Sequence, residues 1–203
     1  MFQNVPPRVS HAYHLRAALL IACAGALAVH DVETHRLENG LQLHIAPGHA
    51  APVAAIQAWV SVGSADEQHA GVAHLAEHML FKGGELARAI EGSGGTVNAW
   101  TSFDHTVYHA VLGSDRIDHA LEAFGHALAA PRIDRGELAR EREVILEEIR
   151  QGSDDPARAV AQSLFAAAYA EHPYRRPVIG SAESVARLGE RELVEFFRSA
   201  YVA

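Results

Sequence analysis

The chain has 203 residues, 49% of them hydrophobic, and a formal net charge of −8 at neutral pH. A chain of this size can bury one sizeable core, and its acidic balance argues against a nucleic-acid partner. Its one cysteine, Cys23, excludes a disulfide within the chain.

Residues 1–28 predict a secretory signal peptide. Arg8 and Arg16 precede an uncharged, largely apolar run that ends in small residues at Ala28. This run is shorter than the about 20 apolar residues of a spanning helix, so we expect no stable membrane span. The sequence therefore predicts an exported protein, periplasmic or secreted. Lipoprotein attachment at Cys23 is the disfavoured alternative, because the apolar run before that cysteine is short.

The part that follows the leader is predicted to begin with strands. Residues 41–45 alternate apolar and polar side chains and follow Asn39-Gly40, a tight-turn signal that predicts a hairpin. Residues 53–62 form a second, more apolar strand, which Gly63-Ser64 ends. We therefore expect a sheet to be started before the first helix.

Residues 71–81 are predicted to form a buried helix that carries a metal site. They contain the motif His74-x-x-Glu77-His78, and residues three and four apart share one helix face. Two imidazoles supply nitrogen ligands to Zn²⁺, and the carboxylate can act as the base for a water that the metal activates. Such short motifs also arise by chance, above all in a chain with 14 histidines. The flanking residues are apolar nearly all round, however, and buried imidazoles need a polar partner.

The rest of the chain is predicted to pass from strands to helices. A short helix at residues 85–90 ends in a glycine cluster, and residues 96–103 and 106–112 predict two strands. Helices are predicted at residues 115–129, 135–151, 156–170 and 190–200. This order predicts an α+β fold in which an antiparallel or mixed sheet packs against helices.

A third metal ligand is needed, because a hydrolytic zinc site takes three protein ligands and a water. Glu141 and Glu148 fall on one helical stripe with Val144 and Ile145, which would carry a carboxylate into the core. Glu148 is therefore the predicted ligand, and Glu147 on the charged face is the fallback. Without the histidine motif, the two stripe glutamates would be interpreted as reaching out to water.

These motifs resemble those of the pitrilysin/insulinase zinc metallopeptidases, the inverzincin family that includes processing-peptidase-like members. The resemblance is carried by the stretch from His74 to Gly83 and by the later segment from Glu141 to Glu148. Gly84 is a small departure, since the family often has threonine there. Further matches occur in the expected order at residues 38–41, 63–71, 94–108, 172–180 and 196–201.

The resemblance implies a zinc endopeptidase and gives roles to the motif residues. It implies that His74, His78 and Glu148 bind Zn²⁺. It also implies that Glu77 is the general base and that Glu141 supports the ligand residues without binding the ion itself.

The resemblance further implies how substrate binds. Asn98 and Ala99 would lie on an edge strand, to which a peptide or an unfolded polypeptide adds as another strand. Family members close two homologous halves around the substrate, and residues 29–203 match most of only the first, N-terminal half. We therefore expect one half of a clamshell, truncated near its end, that needs a second homologous half or partner subunit. The alternative is a noncatalytic binding or assembly subunit of a two-chain peptidase, although such subunits typically have a damaged zinc motif.

Overall fold

A computed structural model describes residues 18–22, 32–48, 50–81 and 85–201. The predicted α+β architecture is confirmed, since helices pack on one face of a mixed six-stranded sheet. The strands are β1 (Ala18–Ala22), β2 (Glu33–Arg36), β3 (Gln42–Ala46), β4 (Val53–Val60), β5 (Thr96–Thr101) and β6 (Thr106–Gly113). The helices are α1 (Val72–Phe81), α2 (Glu85–Gly92), α3 (Ile117–Ala129), α4 (Arg135–Ser153), α5 (Pro156–Ala168), α6 (Ala182–Ala186) and α7 (Glu190–Ala200), with 3₁₀ turns at Ser114–Arg116 and Pro173–Arg175.

The strands lie in the order β2-β3-β1-β4-β6-β5. The predicted hairpin is formed by β2 and β3, and Gly40 in its turn has φ 96°, a conformation that favours glycine. β6 pairs antiparallel with both β4 and β5. β1 lies between β3 and β4, parallel to β3 and antiparallel to β4. This strand falls inside the predicted leader, and its position makes the sheet mixed.

The burial pattern of β4 shows which face of the sheet packs on the helices. Ala54, Ile56, Ala58 and Val60 are buried, and the residues between them are half-buried. Because side chains alternate along a strand, these four residues lie on one face. α1 contacts β5 and β6 of this sheet and also contacts α4 and α7. α1 is therefore a central helix of the core, as its apolar composition predicted.

Three details differ from the sequence predictions. β1 and the short helix α6 were not predicted, because one had been assigned to the leader and the other has only five residues. The prediction that Val144 lies on the buried stripe of α4 is wrong, since Val144 is 38% exposed. Leu138, Ile145 and Gly152 are the buried residues of that helix instead.

Some predictions concern residues outside the described ranges. These include Cys23, the segment 82–84 that contributed to the family resemblance, and most of the leader. Within the described residues, no helix combines the length and the apolar composition that crossing a bilayer requires.

Candidate active site

The N-terminus of α1 is held by a buried carboxylate, Glu67. Its Oε1 accepts a hydrogen bond from the Gly71 amide at 2.8 Å, and its Oε2 accepts one from the Ala73 amide at 3.1 Å. These bonds satisfy donors at the start of α1 that lack a partner within the helix. Burial raises the pKa of Glu67 to about 7, although these amides and the nearby Arg176 favour the charged form. Glu67 thus fixes the start of the motif helix; it lies in the segment 63–71 that was part of the family resemblance, but the sequence gave it no role.

The structure brings His74, His78 and Glu148 together. One ligand atom from each lies within 4.8 Å of the other two. The Nε2 atoms of His74 and His78 are 3.9 Å and 3.7 Å from Glu148 Oε2. The two imidazole rings lie 4.6 Å apart, and Glu148 approaches them from α4, a helix far away in sequence.

Glu141 contacts the second histidine from the side away from this cluster. Its Oε2 is 3.0 Å from Nδ1 of His78, while Nε2 of His78 faces Glu148. A carboxylate at Nδ1 favours the tautomer that keeps its proton there, which leaves the Nε2 lone pair available for a metal. The position of Glu141 therefore matches the supporting role that the family resemblance implies.

The spacing of α4 explains why Glu148 rather than its neighbour reaches the histidines. Glu141, Ile145 and Glu148 follow one helical stripe, on which Ile145 is fully buried. Glu147 lies outside this stripe and bonds Arg150, so the fallback ligand is not part of the cluster. The side chain of Glu148 keeps 33% of its surface exposed, which leaves an open side for substrate.

Glu77 lies on α1 between the two histidines of the motif and is buried. Thr101, the last residue of β5, donates a hydrogen bond from its hydroxyl to Glu77 Oε2 at 2.6 Å. This bond fixes one oxygen of the carboxylate, and it connects the helix to the strand on which substrate contacts were predicted. Thr101 was part of the family resemblance, but the sequence alone gave it no role.

Asn98 and Ala99 lie on β5, as predicted, and β5 is the last strand in the order of the described sheet. Asn98 is exposed and Ala99 is half-buried. An edge strand offers backbone donors and acceptors to an added strand. The strand ends at Thr101, beside Glu77, so a chain added to β5 would run toward the histidine cluster.

The residues of the cluster fit a zinc ion. Two imidazole nitrogens and one carboxylate oxygen form a donor set of catalytic zinc sites, with a fourth position left for water or substrate. Within the described residues, His74, His78 and Glu148 form the group with ligand atoms near enough to share an ion. The arrangement therefore suits metal-assisted hydrolysis.

The family model for insulinase, peptidase family M16, matches residues 45–182. The chain is 40% identical over 157 residues to an uncharacterized zinc protease of Mycobacterium tuberculosis, with 73% of this chain and 36% of that protein covered. It is 33% identical to the mitochondrial-processing peptidase subunit beta of Blastocladiella emersonii, with 87% of this chain and 40% of that protein covered. The structure of a protease from Helicobacter pylori matches with a TM-score of 0.79 and 30% identity, over 85% of this chain and 44% of that one. The chain thus spans about two fifths of the length of these relatives.

Proposed function

The chain belongs to the insulinase family of peptidases, M16, and we propose that it carries the zinc site of an endopeptidase that hydrolyses peptides or unfolded polypeptides. The observation that carries the proposal is the convergence of His74, His78 and Glu148 beside the buried Glu77. The names of relatives support it, since the relative from Mycobacterium tuberculosis is described as a zinc protease.

In this proposal His74, His78 and Glu148 hold the zinc ion. When bound, zinc supplies a Lewis acid that polarises the scissile carbonyl and lowers the pKa of water. Glu77 takes the proton from the attacking water and passes it to the leaving amine. Thr101 donates a hydrogen bond to Glu77 Oε2 and so holds the carboxylate of the proposed base in place.

Substrate is proposed to bind as an additional strand along β5, with Asn98 and Ala99 among the contact residues. Main-chain hydrogen bonds would give affinity with little dependence on sequence, as in other cases of strand addition. This mode suits extended or unfolded polypeptides, because a folded protein does not offer a free strand. A peptide bound along β5 would pass Glu77 at Thr101, where the strand ends.

A second homologous half or partner subunit is also proposed. The relatives are more than twice as long as the matched part of this chain, and one of them is a subunit of a processing peptidase. The open side of Glu148 leaves space for groups from another domain. In this proposal, residues of the second half or partner subunit also contribute to cleavage.

Metal content and cleavage test the proposal together. We expect Glu148→Ala to lower zinc affinity more than about 100-fold. This exceeds the roughly 10- to 100-fold loss that is typical when a residue that only hydrogen-bonds a ligand is replaced. Glu147→Ala, one position away on the solvent face, is the matched control and should keep the affinity. Glu77→Gln should retain zinc and lose about 10²- to 10⁴-fold in cleavage, the range for general acid–base catalysis.

These measurements require the chain alone and together with a second half. If Glu148→Ala and Glu147→Ala bind zinc equally, the proposed ligand set is wrong. If zinc binds but the assembled protein cleaves no unfolded polypeptide, the site would instead belong to a noncatalytic binding or assembly subunit.

Export to the periplasm or the medium is a separate proposal, supported by the order of basic, apolar and small residues in residues 1–28. Cleavage after Ala28 would remove β1, and β3 and β4 would each lose one of the two strands that they pair with. Mass spectrometry of the protein from its native host gives the mature N-terminus. An intact leader would contradict export by this route. A lipid on Cys23 would show that the protein is a membrane-anchored lipoprotein instead.

A further inference from the structure

A cavity of about 340 Å³ opens beside the histidine cluster and shares two residues with it, His74 and Glu148. Thr101, which bonds Glu77, also lines the cavity. A substrate chain that passes Glu77 would therefore place a side chain close to the scissile bond into this cavity. Its lining selects which side chains fit.

One basic residue of the cavity lining, Arg158, packs against α4 at a glycine. Gly152 follows Glu148 by one helical turn on α4 and is buried. An added Cβ on Gly152 would lie 2.5 Å from Nη1 of Arg158, so the guanidinium crosses α4 where no side chain blocks it. Arg158 itself lies in the first turns of α5 and lines the cavity. Because residue 152 has no side chain, the Arg158 guanidinium lies against α4 one helical turn from Glu148, a proposed zinc ligand.

Two further arginines, Arg175 and Arg176, also line the cavity. Arg176 is half-buried, its Nη2 lies 3.5 Å from the Ser64 carbonyl, and its charge acts on Glu67. This arginine serves the support of α1. Arg175 is exposed at the end of the 3₁₀ turn and is the second group able to meet a ligand in the cavity.

Aromatic rings connect α5, which carries Arg158, with the 3₁₀ turn, which carries Arg175. The Phe103 ring stacks on Tyr174 at 4.5 Å and lies 5.2 Å from Phe165 of α5. The Tyr174 hydroxyl donates to Asp104 in the turn between β5 and β6. These contacts attach α5 and the 3₁₀ turn to the end of the edge strand. They also give the cavity apolar sides, against which the methylene groups of a longer side chain can pack.

The charges of the cavity favour an anion. Glu148 is the carboxylate that lines it, and in the proposed function its charge is taken up by a divalent cation. Apart from Glu148, the residues that line the cavity include no acidic side chain to oppose Arg158 and Arg175. Guanidinium groups bind carboxylates through paired hydrogen bonds and repel lysine and arginine side chains.

We propose that this cavity selects substrates with an aspartate or glutamate close to the scissile bond, with Arg158 and Arg175 as the specificity-determining residues. The inference rests on the proposed function and adds a substrate class to it. Carboxylate side chains are the occupants, because the arginines supply charge and donors while the aromatic walls accommodate the stem.

Binding to a variant that cannot cleave tests this inference separately from catalysis. The zinc-loaded Glu77→Gln protein would be titrated with labelled, unstructured peptides that differ only by one glutamate or glutamine, scanned along the sequence. At one position we expect the glutamate peptide to bind about fivefold to tenfold more tightly, and added salt should reduce the difference. Arg158→Gln combined with Arg175→Gln should abolish the preference, so that the glutamate and glutamine peptides bind with equal affinity.

Two further variants test whether the position of the arginine, and not charge alone, determines the preference. Arg150→Gln removes an exposed arginine that bonds Glu147 and should leave the preference intact. Gly152→Ala keeps all charges but displaces the Arg158 guanidinium, so the preference should fall while the helix remains folded. Equal affinity for both peptides at every position would overturn the inference even if the enzyme cleaves. Selective binding without any cleavage would support the cavity and count against the proposed function.

Discussion

α1 and α5 both line the space around the candidate active site, but they are held there in different ways. Eight of the ten residues of α1 are buried, whereas none of the 13 residues of α5 is. Val160 and Leu164 on α5 are 69% and 64% exposed. The proposed ligands His74 and His78 thus come from a helix that the core fixes on all sides. The residue that we propose to select substrate, Arg158, comes from a helix attached at a few points.

This contrast suggests a division of roles. A catalytic site needs its groups held to within fractions of an ångström, and a buried helix provides this through packing. A specificity cavity tolerates movement and change, and the aromatic contacts of Phe165 hold α5 without burying it. Substitutions on the two helices should therefore have very different effects on stability.

The largest effect is expected from Leu75→Ala in α1. Leu75 is fully buried in the core cluster, and removing such a side chain costs about 2–5 kcal/mol through lost burial and the cavity left behind. The matched control is Leu164→Ala in α5, which should change the free energy of unfolding by no more than about 0.5 kcal/mol. Urea unfolding of both variants measures the difference. Similar losses would mean that α5 is packed as firmly as α1.

A second prediction concerns how α1 is held at its start. Glu67 has a raised pKa of about 7 in the folded state, above the ordinary value of 4.5. The folded state therefore binds the Glu67 proton more tightly, and this residue's contribution to stability falls as pH rises from about 4.5 to about 7. At most about 3 kcal/mol is involved.

The comparison with Glu67→Gln isolates this contribution. As the pH rises across that range, the wild type should lose stability relative to the variant. Above that range, the difference between their free energies of unfolding should stay constant. Other titrating groups, including the histidines, cancel in the difference. A difference that does not vary with pH would show that Glu67 titrates normally.

The local part of the fold could be predicted from the sequence, and the remainder depended on long-range packing. The apolar run at residues 53–62 and the apolar surroundings of His74 were sufficient to predict β4 and a buried α1. No local pattern could show that Glu67 would turn back onto the Gly71 and Ala73 amides. That contact depends on the path of a loop, which has no periodicity.

The same limit applied to α4. The stripe of Glu141 and Glu148 was predicted correctly in part, because helical periodicity is local, and the family resemblance favoured the same residues. Val144 was wrongly included, since periodicity alone does not show how wide the buried face is. Arg158 was missed because its importance arises from Gly152, a position where a missing side chain leaves room for another residue.

A third, smaller effect is expected at the outer support of the site. Glu141→Gln keeps an acceptor near Nδ1 of His78 but loses the negative charge, so zinc affinity should fall about 10- to 100-fold. Glu143→Gln on the exposed face of α4 is the matched control and should leave the affinity unchanged. Competition with a zinc-binding dye measures both. Equal affinities would show that the contact with His78 is structural and does not tune the ligand.

The smallest effect is expected at the attachment of α5, where Tyr174→Phe removes the hydroxyl that lies 2.7 Å and 2.6 Å from the two Asp104 carboxylate oxygens. The bond to Asp104 raises the pKa of Tyr174 to about 12, because the carboxylate accepts a hydrogen bond from the protonated hydroxyl. The bond is near the surface, so its loss should cost less than about 1 kcal/mol of global stability.

Tyr174→Phe should change the local amide hydrogen exchange more clearly than the global stability. The 3₁₀ turn and α5 share the ring cluster of Phe103, so loosening Tyr174 should speed amide hydrogen exchange in α5 while α1 keeps its protection. Tyr169→Phe, which removes a hydroxyl from the same ring cluster, serves as a comparison. Faster exchange in both α1 and α5 would mean that the two helices open as one unit. The separation between a fixed catalytic helix and an adjustable specificity helix would then have to be abandoned.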